Sequence, residues 1–373
     1  MRQSNLAGRK TVKAGNQANT FNFYATLGGK PIAAVEITPT GMRILNNWMN
    51  MRPTSELTEP NETLGDLEVS MEEITERGRR KRLLAFRWYG GKFSHLNWLL
   101  PLLPKTQHYC EPFGGSAAVL LNREPSPVET YNDIDQNMVT FFEVLRDNPQ
   151  ELIDKLYLTP FSHEEFKKAY ESRSRGDLSD VERARLFFIR AEQVRIGLAQ
   201  TATQGRWAWC KLTSRRGMSG AVSRWLNRVE ALWAVAERLR RVQIENKDAT
   251  EVITQYDSPE TLFYCDPPYP HETRGDSNAY GYEMSDEDHE KLAEVLHGVA
   301  GKVAISSYKS RLMDKLYEGW ARVDAPTMIA HSVKELRTES LWTNYGLDWI
   351  EKETLTHLKE LGCKFNMSSS SKK

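Results

Sequence analysis

The chain has 373 residues, with 50 Lys or Arg balanced by 50 Asp or Glu, so its formal net charge is zero. This length predicts two or three domains, or one large α/β domain with insertions. A net charge of zero identifies no class of partner, so the distribution of charge along the chain carries that information.

The cysteines and the apolar runs exclude two classes of protein. The four cysteines are scattered singly, without the spacing of a zinc site or a disulfide framework, which favours a reducing compartment. No apolar run approaches the roughly 20 residues that span a bilayer, and the first ten residues lack an apolar signal core. We therefore expect a soluble, cytoplasmic protein without a metal site.

The two ends of the chain differ in composition from its middle. Residues 1–80 are predicted to form an extension of unknown role, with a strand or two and a short helix within 28–50 and a polar linker over 54–82. This extension is a candidate docking element for a protein partner. Residues 364–373 (KFNMSSSSKK) are predicted to be a disordered tail.

From about residue 83 onwards, short β-type runs alternate with helical stretches. This alternation predicts an α/β fold with a doubly wound, mostly parallel sheet, whose ligands bind beyond the carboxyl ends of the strands. The predicted strands are 107–111, 128–133, 242–246, 261–265, 302–307 and 337–345. The predicted helices include 116–122, 136–147 and 286–299.

Residues 150–240 interrupt this alternation and are predicted to be helical, with no clear strand. Within 181–241 there are 13 basic and 4 acidic residues, a net charge of +9 in a chain of net charge zero. Four tryptophans lie among them. A solvated helical face usually carries matching acids, so this composition favours phosphate binding. The candidate phosphate contacts are Arg195, Arg206, Lys211, Arg215, Arg216 and Arg224.

A glycine-rich turn follows the first predicted strand of the sheet, in YCEPFGGSAAVLL (109–121). Glycines let the backbone approach a ligand, and the helix that follows points its first N–H groups there. A tight βα turn alone would also explain this motif. The next strand, however, ends at Asp133, about 20 residues after the glycines, where an acid can bind ribose hydroxyls. Because the turn does not match GxGxxG, a nucleoside ligand is favoured over a nicotinamide dinucleotide.

The segment TLFYCDPPYPHET (261–273) runs from an apolar strand directly into Asp266 and two prolines. Pro267 and Pro268 cannot continue a sheet ladder and fix the backbone, and Tyr269 follows on this rigid bend. Such a strand end presents a carboxylate, rigid carbonyls and an aromatic ring. This combination suits a flat ring that bears an amino group, although a turn with a solvated aspartate is the alternative.

These segments form an ordered set: RWYGGK (87–92), EPFGGSAAV, YNDID, an Arg-rich insert and YCDPPY. The set resembles the Dam-like, D12 class of DNA adenine-N6 methyltransferases over roughly residues 84–347. KVAISSY (302–308) and TESLWTNY (338–345) are similar to the late strands of that family. The resemblance implies a Rossmann-like S-adenosylmethionine-dependent methyltransferase sheet, of a type that prokaryotes and phages encode, with a mainly helical target-recognition insert.

The resemblance also implies domains, ligands and roles for residues. Residues 81–150 and 241–350 would form the catalytic domain and 151–240 the domain that recognises duplex DNA, which makes the six basic residues DNA contacts. S-adenosylmethionine would contact Trp88, Lys92, Glu111, Phe113, Gly114, Gly115, Ser116, Asp133, Asp248 and Asp266. The catalytic set would be Asp266, Pro267, Pro268 and Tyr269.

In the implied mechanism, Asp266 and the Pro267 carbonyl each accept a hydrogen bond from the N6 amine of adenine. This localises the nitrogen lone pair for an in-line methyl transfer. The target base must leave the duplex, at a cost of a few kcal/mol. Tyr269 would stack on the base, with Tyr280 or Tyr282 as a second aromatic partner.

The sequence departs from the family pattern at two places and leaves alternatives open. Ala117 stands where the family often has another glycine, and the insert retains little recognisable target-reading sequence. The same chemistry on cytosine N4 or on RNA remains an alternative. A catalytically silent or partner-dependent DNA-binding subunit is another.

Overall fold

The computed structural model describes residues 21–27, 30–38, 41–47, 82–195, 203–273, 282–326, 328–329 and 336–366. The chain divides into two compact units, Met1–Arg77 and Gly78–Lys373. No helix among the described residues is long and apolar enough to cross a membrane.

The first unit contains a three-stranded antiparallel sheet. Its strands are β1 (Phe21–Leu27), β2 (Lys30–Thr38) and β3 (Gly41–Asn47), paired in the order β1-β2-β3. The prediction of a short helix within residues 28–50 is therefore wrong, because 41–47 is a strand that pairs with β2. The Gly28–Gly29 pair between β1 and β2 in the sequence is typical of a hairpin turn and could have indicated this meander.

The second unit contains an α/β sheet, a helical segment and two short hairpins. Its strands are β4 (His108–Glu111), β5 (Val128–Asn132), β6 (Ser214–Arg215), β7 (Met218–Ser219), β8 (Val242–Glu245), β9 (Thr261–Cys265), β10 (Lys302–Tyr308), β11 (Ala321–Asp324), β12 (Met328–Ile329), β13 (Leu336–Arg337), β14 (Glu339–Thr343) and β15 (Lys364–Asn366). Its α-helices are α1 (Leu96–Leu99), α2 (Ala118–Asn122), α3 (Gln136–Asp147), α4 (Pro149–Tyr157), α5 (His163–Glu171), α6 (Asp180–Gln193), α7 (Gly220–Leu239), α8 (Ala249–Gln255), α9 (Asp286–Gly298), α10 (Arg311–Leu316) and α11 (Lys352–Glu360).

The central sheet has the strand order β8-β5-β4-β9-β10-β14-β11-β15. The first five strands in this order are mutually parallel, and β14 runs antiparallel to both β10 and β11. The prediction of an α/β fold with a mostly parallel sheet is confirmed. From β4 the chain passes to β5 and then β8 on one side, whereas β9 and β10 lie on the other side. The strand order therefore reverses next to β4, at the switch point where such folds bind ligands.

Two strands of the sheet, the edge strand β15 and its neighbour β11, were not predicted. Strand β15 pairs antiparallel with β11 through Lys364–Asn366, so the first three residues of the predicted disordered tail are ordered. The serine-rich composition of the tail hid this strand, because its order comes from pairing with β11 and not from local propensity. Residues 367–373 lie outside the described residues.

The helical segment between β5 and β8 contains α4 to α7, together with the short hairpin β6–β7. The prediction that this region has no strand is therefore wrong. The two residues between β6 and β7, Arg216 and Gly217, both have positive φ angles, 53° and 74°. Positive φ at both central residues is the geometry of a tight type I′ hairpin, and an arginine at the first position gives little sequence signal for it.

Aromatic packing joins the segment before the sheet to this helical region. The Phe86 ring lies 5.3 Å from Phe141 of α3 and 5.1 Å from Phe187 of α6, edge to face in both cases. Next to Phe86, the Arg87 side chain and backbone donate hydrogen bonds to the buried Glu192 at the end of α6. These contacts fix the position of Trp88, which follows directly.

Candidate active site

A cavity of about 740 Å³ opens at the carboxyl ends of β4, β5 and β9. Strand β9 contributes Asp266, Pro267 and Pro268 at its end, while Tyr269 lies outside the cavity lining. All ten predicted cofactor contacts line this cavity, so five separate chain segments meet there. These residues are Trp88, Lys92, Glu111, Phe113, Gly114, Gly115, Ser116, Asp133, Asp248 and Asp266.

Asn132 holds three of the segments around the cavity together. Its side-chain amide donates to the backbone oxygens of Pro112 (2.8 Å) and Lys247 (3.1 Å), and its Oδ1 accepts from the Lys247 N–H (2.9 Å). The side chain is buried, so these bonds are not exposed to competing water. Asn132 was not predicted as a site residue, because its partners lie far away in the chain.

The glycine turn after β4 is packed against the next strand. A Cβ atom at Gly114 would overlap the Tyr131 ring, so no other residue fits there without movement. The Tyr131 hydroxyl donates to the Gly115 oxygen (2.8 Å). Gly115 and Ala117 both lie in the left-handed region, with φ angles of 51° and 55°. The glycine expected at position 117 would suit this conformation, which costs alanine about 1 kcal/mol.

Asp133 lies at the end of β5 and faces the glycine turn. Its carboxylate accepts from the Gly115 N–H and the Asp135 N–H, each at 2.9 Å. Burial raises its pKa to about 6, although these backbone hydrogen bonds oppose the shift. A carboxylate has about four acceptor positions, so Asp133 retains capacity for further donors from the cavity.

Glu111 is the last residue of β4, is 2 % exposed and lines the same cavity. Its Oε1 accepts from the Tyr109 hydroxyl at 2.7 Å. Burial raises the pKa of Glu111 to about 8, which favours a neutral acid at this position near pH 7.

Asp266 is held through one of its two carboxylate oxygens. Lys92 Nζ lies 2.7 Å from Oδ1, and Ser306 Oγ donates to the same oxygen at 2.9 Å. Among the described residues, no group donates a hydrogen bond to the other oxygen, Oδ2. One oxygen is thereby fixed while the other can receive a ligand.

Lys92 is buried between two carboxylates. Its ammonium also lies 3.4 Å from Oε1 of Glu339, which is 5 % exposed. Burial alone would lower the pKa of Lys92, but Asp266 and Glu339 raise it above the ordinary value. Lys92 therefore stays charged at neutral pH. Ser306 and Glu339 were not predicted as site residues, although both lie in segments that resembled the family's late strands.

Tyr269 is 4 % exposed, and its hydroxyl donates to Glu339. Its ring lies 4.9 Å from the Lys92 ammonium and 4.9 Å, edge to face, from the Tyr308 ring. A base can stack on this ring only after the neighbouring groups have moved. Of the two further aromatic candidates, Tyr282 lines the cavity and is half exposed, and Tyr280 lies outside the described residues.

Asp248 lines the cavity and also begins helix α8. Its Oδ1 accepts from the Thr250 N–H at 2.8 Å, which is the usual contact of an N-cap aspartate. The capping role accounts for an aspartate at this position by itself. Any contact with a ligand would have to use the remaining acceptor positions of the carboxylate.

The basic residues of the helical segment fall into two groups. Several arginines are bound to acids or backbone oxygens, and some of those acids lie outside 181–241, such as Glu129 and Glu165. The six predicted contacts are all exposed, and none has a carboxylate within ion-pair distance among the residues the structure describes. They are Arg195, Arg206, Lys211, Arg215, Arg216 and Arg224.

A mostly parallel sheet with a ligand-sized cavity at its switch point defines a Rossmann-like α/β protein. The description "D12 class N6 adenine-specific DNA methyltransferase" belongs to the family that matches residues 88–338, more than half of the chain. The chain therefore belongs to the D12 class of N6 adenine-specific DNA methyltransferases, and the predicted family is confirmed. The sheet is accordingly a Rossmann-like methyltransferase sheet.

Individual relatives support the same assignment. The type II methyltransferase M1.LlaDCHI of Lactococcus lactis subsp. cremoris is 24 % identical over 286 residues, covering 70 % of this chain and 94 % of that protein. The DNA adenine methylase of Vibrio cholerae serotype O1 is 25 % identical, covering 64 % of this chain and 86 % of that protein. The DNA N-6-adenine-methyltransferase of Escherichia phage P1 is 22 % identical, covering 83 % of this chain and 41 % of that protein. This protein is an adenine-specific DNA methyltransferase.

Proposed function

We propose that this protein binds S-adenosylmethionine in the cavity at the switch point and methylates N6 of an adenine that has left the DNA duplex. The observation that carries the proposal is the position of Asp266, which lines the cavity and has one oxygen, Oδ2, without a donor among the described residues. The bound cofactor would supply an electrophilic methyl group on a positively charged sulfur.

The residues of the cavity fit this cofactor. Asp133 retains acceptor capacity for the two ribose hydroxyls, and Gly115, which lines the cavity, leaves no side chain between the backbone and a ligand. Two carboxylates, Asp266 and Glu339, face one ammonium, Lys92, which favours a positively charged group nearby. Trp88 and Phe113 add apolar and aromatic lining. The cavity volume lies within the range of ordinary small-molecule sites.

Asp266 and Pro267 would bind the amine of the target base. The Asp266 oxygen Oδ2 would accept one N6–H and the Pro267 carbonyl the other, which draws the nitrogen towards a tetrahedral geometry. Because Lys92 and Ser306 hold the first oxygen and the prolines fix the backbone, these acceptors are oriented before the reaction begins. An adenine paired in a duplex cannot reach them, so the base must be flipped out.

DNA would bind across the exposed basic surface of the helical segment. Of the six cations without a carboxylate partner among the described residues, Arg215 lies in β6 and Arg216 in the turn of the β6–β7 hairpin. Exposed apolar side chains, Trp209, Leu212 and Met218, occur in the same stretch. Charges without carboxylate partners are available for phosphates, and this supports residues 151–240 as the DNA-recognition domain.

The proposal is tested by expressing the protein in a bacterial host without DNA methylation and mapping modified bases by single-molecule sequencing. We expect N6-methyladenine within one short sequence motif, and none from a matched Asp266→Asn variant. Calorimetry with purified protein should separately show S-adenosylmethionine binding by both proteins. An unmodified genome, despite soluble wild-type protein that binds the cofactor, would contradict the proposed reaction.

A further inference from the structure

One buried carboxylate, Glu339, contacts both Lys92, which lines the cavity, and Tyr269, which follows Pro268. It accepts a hydrogen bond from the Tyr269 hydroxyl, and its Oε1 lies 3.4 Å from Lys92 Nζ. The same ammonium lies 2.7 Å from Asp266 and donates to the Gly90 oxygen at 3.2 Å. Glu339 thus contacts two groups that adjoin the place where a base would react.

The position of the Lys92 ammonium decides how Asp266 is presented. If Lys92 interacted with Asp266 alone, it could follow the carboxylate and approach either oxygen. Glu339 and the Gly90 oxygen also hold the ammonium, so it stays at Oδ1 and leaves Oδ2 available to a ligand. Ser306, which donates to Oδ1, acts in the same direction.

Resting on the proposed function, we infer that Glu339 is a positioning residue for methyl transfer. It holds Lys92 so that only one oxygen of Asp266 is occupied, and it accepts a hydrogen bond from the Tyr269 hydroxyl, which fixes the orientation of the ring that follows Pro268. It does not itself touch the base or the cofactor in this arrangement, because it does not line the cavity.

Glu339 also sets the charge of this group of residues. With Asp266, Glu339 and Lys92 all ionised, the three side chains carry a net charge of −1. Burial raises the pKa of Asp266, Lys92 opposes this shift, and Glu339 adds to it. Glu339 also contributes to the raised pKa of Lys92. The other titratable groups that act on Lys92 or Asp266, or feel their charge, are His95, Glu111, Tyr264, Cys265 and Tyr269.

The test compares Glu339→Gln with the wild type in the full-length protein. Glutamine keeps the size and one acceptor oxygen but removes the charge, which lowers the pKa of both Asp266 and Lys92. We expect kcat to fall by about tenfold or more, since a small misplacement of reacting groups has effects of this size. Both limbs of the kcat–pH profile should move to lower pH.

A binding measurement gives a second result that does not depend on turnover. Calorimetry should show that Glu339→Gln reduces the preference for S-adenosylmethionine over S-adenosylhomocysteine by about three- to fivefold, because only the former is positively charged at sulfur. Glu360→Gln, at an exposed position of α11, is the matched control. It removes one negative charge outside this group of residues, so it should leave the pH limbs and the affinity ratio unchanged.

The outcomes separate the two proposals. Absence of N6-methyladenine with the wild-type protein would contradict the proposed function itself. The role of Glu339 would be overturned if Glu339→Gln had the same kcat as the wild type, unmoved limbs of the pH profile and an unchanged affinity ratio. If Glu339→Gln does not fold, Glu339→Asp replaces it. That variant keeps the negative charge but moves the carboxylate away from Lys92 and Tyr269, because its side chain is one methylene shorter. It should therefore lower kcat without moving the limbs of the pH profile. A kcat equal to that of the wild type would overturn the inference.

Discussion

Replacing Glu111 with glutamine tests whether this last residue of β4 is a neutral, protonated acid in the folded protein. Burial raises the pKa of Glu111 to about 8, from an ordinary value of 4.5, and the hydrogen bond from Tyr109 only partly opposes the shift. Glutamine has nearly the same shape and an oxygen that can still accept the Tyr109 hydroxyl. The substitution therefore mimics the protonated side chain and removes its ability to ionise.

The expected effect on stability depends on pH, with a definite sign. Because the folded-state pKa lies above the unfolded value, the folded wild type binds more protons between pH 4.5 and about 8, and its stability falls as pH rises through this range. Each pKa unit corresponds to about 1.4 kcal/mol, so ionised Glu111 costs the folded state roughly 5 kcal/mol above pH 8. The glutamine variant avoids this cost.

Urea unfolding of the cofactor-free protein at a series of pH values measures the difference. We expect the free energies of unfolding to be similar near pH 5, with the variant more stable by up to roughly 5 kcal/mol near pH 9. Glu360→Gln, at an exposed position of α11, controls for the general loss of one negative charge. A difference that is constant across pH would refute the reasoning, because it would mean that Glu111 does not change ionisation on folding.

Three further predictions follow from the site and the basic surface. Asp266→Ala should abolish methyl transfer while calorimetry still detects cofactor binding, and turnover equal to the wild type would contradict the proposed mechanism. Replacing Arg215 and Arg216 with alanine should weaken DNA binding and lower the magnitude of its salt slope by about 2 in a fluorescence-anisotropy titration, whereas an unchanged slope would place the DNA elsewhere. Gly114→Ala should reduce the free energy of unfolding by about 1–3 kcal/mol, because the added methyl overlaps the Tyr131 ring, and it should weaken cofactor binding; a variant as stable as the wild type would contradict this packing.

The parallel part of the sheet could be predicted because each of its strands is a short run of β-type residues that ends at a turn signal. Parallel strands present their carboxyl ends at one edge, so the acids that follow β4, β5 and β9 had to approach one another. This explains why Glu111, Asp133 and Asp266 line one cavity although more than 150 residues separate the first from the last.

What sequence could not reveal depends on partners that are distant in the chain. Strand β15 exists because β11 provides its hydrogen bonds, and Glu339 has a role only because folding brings it to Lys92 and Tyr269. The Arg216–Gly217 turn could not be predicted for a different reason. Its first residue adopts a conformation that arginine rarely takes, so the usual asparagine or glycine signal is absent.

The charge of the helical segment shows why a net charge cannot by itself identify a binding surface. The count of +9 includes arginines that the fold uses internally: Arg238 forms two hydrogen bonds to the buried Glu129, and Arg190 donates to the Ala169 oxygen. Their acceptors lie outside the window in which the charge was counted. Ionic groups already satisfied by the fold offer little to a phosphate, whereas exposed cations without carboxylate partners do. The case for a DNA-binding face therefore depends on which cations remain unpaired, and it would fail if neutralising those cations left the salt dependence of DNA binding intact.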